Sequence, residues 1–403
     1  MYRDGMLPNC SKPFLLFALF CYPTRTMKFW CNYATCMMEN IDLDQGYSFA
    51  FAYSNNPTYQ LTAIHIRGDI FDLTTLPNIS SLRDFVLDQS QLNTVIVKLT
   101  MEESTVTISN TPLKTIIFHE SRNLREVRID KSLLGSVPET LVAQDLLQTL
   151  FITNALLTVI DFNLFETLPN LLYVDFNGNK IHALHIPPAS TCCRRLVSLN
   201  LQQNRLENFN FGLLALMNCL EIVTLRENRI VKVENVEPID AKPPNLPQFC
   251  TTNALRHDSV SYSRYASLTT IDLDSNRMRE VNISMFCTMP NLMELMLSRN
   301  LLTSVTVTNG HLPARLEALE LNANKLANAD LRCDFLVDMG GNYDILVRFR
   351  AIASSTARSC LSNSSRRDDF FDAAAFAFSM AALDGGITCA PPPLPSLLFF
   401  ESV

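Results

Sequence analysis

The sequence predicts an α/β repeat fold, a curved solenoid in which each turn contributes one short strand to a parallel sheet. A pattern of regularly spaced leucines that ends in an asparagine and a further apolar residue occurs six times, mostly 24 residues apart. A looser form of the same frame continues towards the N-terminus. With 47% hydrophobic and 18% charged residues, the chain can bury a core as long as these repeats require.

The six clear repeats follow the pattern L-x-x-L-x-L-x-x-N-x-L. Their first residues are Leu171, Leu196, Leu220, Leu268, Leu292 and Leu316. The step from Leu220 to Leu268 is twice the usual length. We therefore expect a degenerate repeat at 244–267.

Five looser repeats precede the clear ones. They begin at Leu61, Leu82, Glu103, Leu124 and Leu147, and the last four carry Ser90, Thr111, Ser132 and Ala155 in place of the asparagine. With the degenerate repeat, about twelve repeats fill 61–331. This arrangement is typical of a leucine-rich-repeat solenoid.

Elementary chemistry explains the pattern. Side chains alternate along the L-x-L strand, so the leucines point into the core and the residues between them point outward on the concave face. The asparagine amide can satisfy backbone groups where the chain leaves the strand, and Ser or Thr can do part of the same task. The second half of each repeat returns along the convex side as irregular, 3-10 or short helical structure, with anchors such as Phe165 and Leu168.

The two ends of the chain differ from the repeats. Residues 1–26 contain a short apolar run after Arg3 and Lys12, which favours a removed signal peptide over a buried strand or an unprocessed tail. We expect 27–60 to form an N-terminal cap, closed by a disulfide between Cys31 and Cys36; two free thiols are the alternative. Residues 332–403 lack the repeat and are expected to form a poorly ordered tail.

The outward strand positions of the clear repeats form the predicted binding surface. They mix acidic, amide and exposed apolar groups, which suits contact with a protein, although many of these residues can equally be ordinary solvated strand residues. The predicted binding residues are Tyr173, Asp175, Asn177, Asn200, Gln202, Arg226, Asp272, Asp274, Glu294, Met296 and Glu320.

Neither a catalytic nor a metal site is predicted. The chain has no Gly-rich phosphate loop, no H-E-x-x-H and no G-x-S-x-G sequence, so we expect no enzyme activity and no cofactor. His182 and His185 precede Cys192-Cys193 and have suitable atoms for zinc. However, Leu184 takes the inward position between the histidines, which favours two surface histidines. Cys192 or Cys193 instead lies one repeat from Cys219, within disulfide reach; buried free thiols are the alternative.

Charge and modification motifs bear on partners and location. The net charge of −7 argues against nucleic acid, and no apolar segment approaches the roughly 20 residues that span a membrane. Asn78 and Asn282 begin glycosylation motifs in predicted convex segments. These features favour an extracellular, secreted protein that binds other proteins; an intracellular leucine-rich-repeat scaffold is the alternative.

Several features together resemble the mosquito leucine-rich-repeat immune proteins. They are the paired cysteines within Cys31–Asp44, the weak short repeats, and 24-residue repeats with the Leu-Pro-Asn-Leu junction at Leu168–Leu171. The resemblance implies secretion, a role in innate immune recognition or scaffolding, and a complement-like protein or another leucine-rich-repeat protein as partner. The chain has no heptad segment after the repeats, so it is most similar to the coil-less members.

Overall fold

The computed structural model describes residues 27–32, 34–45, 58–76, 81–119, 123–185, 192–215, 217–235, 265–307, 312–326 and 346–348. Within these residues, one main sheet contains 14 strands. With strands numbered in chain order, it contains β1 Lys28–Asn32, β2 Thr35–Glu39, β3 Gln60–Ile64, β5 Asp84–Asp88, β7 Ser104–Ser109, β9 Leu124–Asp130, β10 Thr149–Thr153, β12 Tyr173–Asp175, β14 Ser198–Asn200, β16 Ile222–Thr224, β18 Thr270–Asp272, β20 Glu294–Met296, β22 Ala318–Glu320 and β23 Leu346–Arg348.

The second side of each repeat carries small parallel sheets and short 3-10 helices. The strands are β4 Ile70–Asp72, β6 Thr94–Val97, β8 Thr115–Phe118, β11 Val159–Asp161, β13 Ala183–His185, β15 Asn208–Asn210, β17 Lys232–Glu234, β19 Glu280–Asn282 and β21 Ser304–Thr306. The 3-10 helices are Leu43–Gln45, Leu73–Thr75, Glu139–Ala143, Phe162–Phe165, Phe211–Leu214 and Ile283–Phe286. The predicted solenoid is confirmed. Helical structure among the described residues is limited to these 3-10 turns, and the small sheets were not predicted.

The core is a continuous stack of inward side chains. In the main sheet Val174 pairs with Leu199, and Leu199 pairs with Val223, so the middle residues of successive strands lie directly on one another. All three are at most 1% exposed. A second row of phenylalanines, including Phe211 and Phe286, packs on the other side with ring centroids 5.5 Å apart. No repeat can bury these faces alone, so the stability of the fold depends on contacts between neighbouring repeats.

The asparagine of each clear repeat joins two turns of the solenoid. The Nδ2 group of Asn204 donates to the carbonyls of Leu201 and Gln202 in its own repeat and of Phe176 in the preceding one. Its Oδ1 accepts the amide of Ile181 at 3.0 Å. The same bonds recur at Asn179, Asn228, Asn276, Asn300 and Asn324. Buried backbone groups are thereby satisfied where each strand ends.

In the looser repeats hydroxyl groups take over part of this task, as predicted. The Ser90 Oγ accepts the amide of Ile66 at 3.0 Å and donates to the carbonyl of Asp88. Thr111 Oγ1 accepts the amide of Ser90 in turn. A hydroxyl makes fewer hydrogen bonds than an amide group. The strands in these repeats are also longer than those of the clear repeats: β5, β7 and β9 of the main sheet have five to seven residues, and β6 and β8 of the small sheet have four.

The doubled step from Leu220 to Leu268, which predicts a degenerate repeat at 244–267, falls between two neighbouring strands of the main sheet. Ile222 of β16 pairs directly with Thr270 of β18, so no strand lies between them. The described turns on either side of this step are therefore direct neighbours in the main sheet. Residues 236–264 lie outside the described part of the chain.

A β-hairpin stands at the start of the main sheet, within the segment predicted to form an N-terminal cap. β1 pairs antiparallel with β2, Cys31 lies opposite Cys36, and a disulfide joins them. β2 then pairs parallel with β3, so the hairpin closes the start of the main sheet. At the other end β23, within the predicted tail, pairs with β22. The proposed leader at 1–26 lies outside the described residues.

Candidate protein-binding surface

The outward residues of the main sheet form three parallel columns, which together we call the main-sheet face. In the clear repeats the first column is Tyr173, Ser198, Ile222, Thr270, Glu294 and Ala318. The second column is Asp175, Asn200, Thr224, Asp272, Met296 and Glu320. The third, two residues further along each turn, is Asn177, Gln202, Arg226, Asp274, Ser298 and Asn322. Neighbours within a column lie about 5 Å apart because they stand on adjacent strands.

All eleven residues predicted from the sequence lie on the main-sheet face. Tyr173 and Glu294 are exposed, Asp274 is buried, and the other eight are half-buried. The alternation of inward leucines and outward polar residues was sufficient to place them. Their role in binding remains a prediction.

Sequence reasoning missed a second exposed apolar residue in the same column as Tyr173. Tyr173 is 43% exposed, and Ile222, two strands further along the first column, is 40% exposed. Ser198 stands between them in the column. The signal was present, since Ile222 occupies the same outward position in its repeat as Tyr173 does.

A second missed feature lies just upstream, in the looser repeats. The guanidinium carbon of Arg128 lies 4.5 Å from the centroid of the Phe151 ring, a cation–π contact. Phe151 pairs with Asp175, so this pair extends the second column. The predicted binding surface includes only the repeats from Leu171 onward, so it leaves out Arg128 and Phe151.

Carboxylates of the main-sheet face lie in a partly dehydrated environment. Burial raises the pKa of Asp175, against hydrogen bonds from Asn177 and Asn200. Burial likewise raises the pKa of Asp272. The effect is greatest at Asp274, where burial and the charge of Asp272 raise the pKa to about 6. A cationic group in contact with these carboxylates would therefore stabilise their charged form in place of the lost water.

Two disulfides lie within the described residues. One is the predicted Cys31–Cys36 bridge. The other joins Cys192 to Cys193. A link from either of these two residues to Cys219 in the next repeat stays a prediction. Cys287 is an exposed free cysteine.

The remaining candidate residues lie on the second side of the solenoid. His182 and His185 are exposed around β13, and Leu184 between them packs against the core. Within the described ranges no three His, Cys, Asp or Glu residues are grouped to hold a metal ion. Asn282 is exposed, and its Oδ1 accepts the amide of Ser284 at 3.1 Å. Asn78 lies outside the described residues.

Three features define the class of protein, a leucine-rich-repeat solenoid. They are the stacked strands, the continuous leucine core, and the hydrogen bonds by which the repeat asparagines join successive turns, which we call the asparagine ladder. The distinguishing surface of this solenoid is the open main-sheet face. In the part of the chain that the structure describes, no helix is both long and apolar enough to cross a membrane.

Comparison with known proteins agrees with this class. The family model described as leucine rich repeat matches residues 266–326. Osteomodulin of Bos taurus is 25% identical over 191 residues, which cover 43% of this chain and 44% of osteomodulin. The aligned part of the chain therefore spans less than half the length of that relative.

Two matches among solved structures are as follows. The LRIM1/APL1C complex matches at 16% identity with a TM-score of 0.46, over 84% of this chain and 60% of that chain. A leucine-rich-repeat protein of Leptospira interrogans matches at 16% identity with a TM-score of 0.42, over 72% of this chain and 78% of that chain.

Proposed function

We propose that this chain is a secreted leucine-rich-repeat protein that binds other proteins through its main-sheet face and does not catalyse a reaction. The observation that carries the proposal is the pair Tyr173 and Ile222, exposed on an otherwise ordered sheet. Rigid, exposed apolar groups surrounded by polar residues are typical of protein-binding surfaces, where a few anchors supply most of the affinity.

Secretion is supported by two features of the described residues. The Cys31–Cys36 disulfide is of a kind that persists in oxidising compartments and is rare in the cytosol. Asn282 begins a glycosylation motif and is exposed on the second side, away from the main-sheet face. A glycan there would leave the proposed binding surface uncovered. The intracellular scaffold has no comparable observation in its favour.

An immune role is the finer part of the proposal. It rests on the resemblance to mosquito leucine-rich-repeat immune proteins, carried by the Cys31–Cys36 cap, the short early repeats and the later 24-residue repeats. That resemblance suggests a complement-like protein or a second leucine-rich-repeat protein as partner. Both are proteins, so both are compatible with the main-sheet face.

Expression of the full chain in insect cells tests secretion. Medium and lysate are compared on gels with and without glycosidase, beside an Asn282→Gln variant. We expect the protein in the medium, with a loss of mass on deglycosylation that is smaller in the variant. Protein retained in the cytosol without a glycan would contradict secretion and favour the intracellular scaffold.

A second experiment tests the surface. The partner is captured from extracellular fluid of the source organism with the wild type, with Tyr173→Asp/Ile222→Asp, and with Ile70→Asp. Ile70 is 49% exposed on β4, on the second side, so it is a matched control. We expect capture to be lost only in the double variant. Equal capture by all three would contradict binding through the main-sheet face.

A further inference from the structure

Asp274 and Ser298 form an incompletely satisfied polar pair in the third column. Asp274 is 9% exposed, and its Oδ1 accepts the backbone amide of Ser298 at 2.7 Å. Ser298 is 6% exposed, and its hydroxyl has no hydrogen-bond partner among the described residues. The Ser298 side chain lies on the main-sheet face, because the preceding Leu297 points into the core. A buried polar atom without a partner is costly and calls for an explanation.

The third column continues into the looser repeats, where Asp88 pairs with Ser109 and Ser109 pairs with Asp130. These two aspartates are fully supplied with donors. Asp88 accepts hydrogen bonds from the side chains of Ser109 and Asn110 at 2.6 and 2.9 Å. Burial alone would raise the pKa of Asp88, but these bonds bring it below its usual range. Asp130 accepts in the same way from Thr153 and Asn154. Carboxylates in this column can therefore be structural, but Asp274 lacks the side-chain donors that make them so.

The surroundings of Asp274 are predominantly acidic. Asp272, the last residue of β18, stands two residues before it on the main-sheet face, and the charges of Asp272 and Glu320 both act to raise the pKa of Asp274. Glu294 lies on the neighbouring β20, and Glu227 follows Arg226 in the preceding repeat. One cation opposes them: the charge of Arg226, the neighbour of Asp274 in the third column, acts to lower the pKa of Asp274. The Arg226 guanidinium also donates to Glu227 at 3.2 Å, so it is shared between the two carboxylates.

We propose that Asp272, Asp274 and Ser298 form a subsite for an arginine or lysine side chain of the protein partner. This inference rests on the proposed function, because it assigns one contact within the main-sheet face. A guanidinium or ammonium group carries several N–H donors and no acceptor, which complements two carboxylates and a free hydroxyl oxygen. The described residues offer no group of three ligands for a metal ion, which favours a basic side chain as the occupant.

The subsite is sensitive to pH. Because the pKa of Asp274 lies at about 6, lowering the pH through that value adds a proton and removes one of the two negative charges. The basic side chain then loses attraction and an acceptor. Binding is accordingly tight near neutral pH and weak in acid.

The test uses the full secreted chain and a fluorescein-labelled peptide of alternating arginine and alanine, with glutamine replacing arginine in the control peptide. Affinity is measured by fluorescence anisotropy at about pH 7.5 and about pH 5. We expect Asp272→Asn/Asp274→Asn to weaken arginine-peptide binding at neutral pH by at least about tenfold, as loss of hydrogen bonds to a charged group implies. Ser298→Ala should weaken it less.

Two controls keep the test specific. Glu207→Gln/Glu280→Gln removes the same number of charges from exposed positions outside the main-sheet face and should leave the affinity within about twofold. Asparagine keeps an acceptor for the Ser298 amide, and thermal unfolding checks that each variant folds. In the wild type, acid should weaken binding by about tenfold, and Asp274→Asn should lose most of this dependence.

Equal affinity of the Asp272→Asn/Asp274→Asn variant and the wild type would overturn the inference, as would binding that does not change with pH. If the partner is still captured through Tyr173 and Ile222 while the arginine peptide fails to bind, the proposed function stands and the basic subsite does not. If the Tyr173→Asp/Ile222→Asp variant and the Asp272→Asn/Asp274→Asn variant both still capture the partner, that result would instead contradict the proposed function itself.

Discussion

The amide of Ile230 donates to Oδ1 of Asn276 at 3.0 Å, across 46 positions of the chain. The same contact joins neighbouring repeats elsewhere over 22 or 23 positions, as between Ile181 and Asn204. Asn276 also donates to the carbonyl of Leu225, in the preceding turn. The turns before and after residues 236–264 therefore stack as direct neighbours.

Replacement of Asn276 by alanine should destabilise the protein strongly. The side chain makes bonds to the carbonyls of Leu225, Leu273 and Asp274 and to the amide of Ile230, all in a buried setting. Leaving these groups without partners should cost about 2 to 4 kcal/mol. Thermal and urea unfolding measure the loss, and hydrogen exchange should show its largest increase at Ile230 and its neighbours.

Asn208→Ala is the matched control for this prediction. Asn208 is an exposed residue at the start of β15 and makes none of the ladder bonds. Its substitution should change stability by less than about 0.5 kcal/mol. Similar losses of stability in the two variants would mean that the asparagine ladder does not hold together the turns that contain Ile230 and Asn276.

Gly178→Ala should destabilise the fold for a different reason. Gly178 has φ +71°, and a Cβ at this position would clash with Oδ1 of Asn154. Other repeats accept side chains in the same left-handed conformation, including Gln203 and Ser275, so the conformation alone is tolerated. The clash would displace Asn154 from Asp130, and we expect a loss of about 1 to 3 kcal/mol. Ser275→Ala, measured by thermal unfolding beside it, should be nearly neutral; equal effects would contradict the steric account.

The raised pKa of Asp274 predicts a specific pH dependence of stability. The group binds its proton up to about pH 6 in the folded chain, whereas its ordinary value is 3.8. The folded state therefore holds more protons between these values, and stability falls as pH rises through that window. Asp274→Asn should remove this contribution, on the order of 2 kcal/mol once screening by solvent is allowed for.

Unfolding midpoints of wild type and Asp274→Asn at about pH 4 and about pH 7 provide the measurement. The variant should gain stability over the wild type at the higher pH and little at the lower one. Glu280→Gln, an exposed carboxylate on β19, should show no such difference. A gain in Asp274→Asn that is the same at both pH values would contradict the assignment.

Removal of the Cys31–Cys36 bridge should loosen the cap locally. The bridge closes a short hairpin, and the chain-entropy relation gives a contribution of about 2 kcal/mol. In Cys31→Ser/Cys36→Ser, hydrogen exchange should accelerate in β1 and β2, whereas the middle repeats should remain protected, since repeats interact chiefly with their neighbours. Cys287→Ser, at the exposed free cysteine, is the control. Unchanged exchange in β1 would contradict a capping role for the disulfide.

The repeat frame made most of the fold predictable from sequence, because burial of Leu199 and outward placement of Asn200 follow from strand alternation alone. Spacing by itself could not reveal that β16 pairs with β18, since a doubled interval fits either a missing repeat or a long one. The partners of Asp274 were equally hidden. Whether Ser298 donates through its hydroxyl or its amide depends on side-chain geometry that the pattern does not encode.

The central claim, that the main-sheet face binds a protein, is tested most directly by site-specific photocrosslinking. A photoreactive phenylalanine analogue replaces Tyr173 in one secreted protein and Ile70 in another, and each is irradiated in extracellular fluid of the source organism. Both positions are exposed, at 43% and 49%, but they lie on opposite sides of the repeat. The account predicts a discrete adduct with one partner from position 173 and none from position 70. Adducts from position 70 alone, or from neither position, would contradict it.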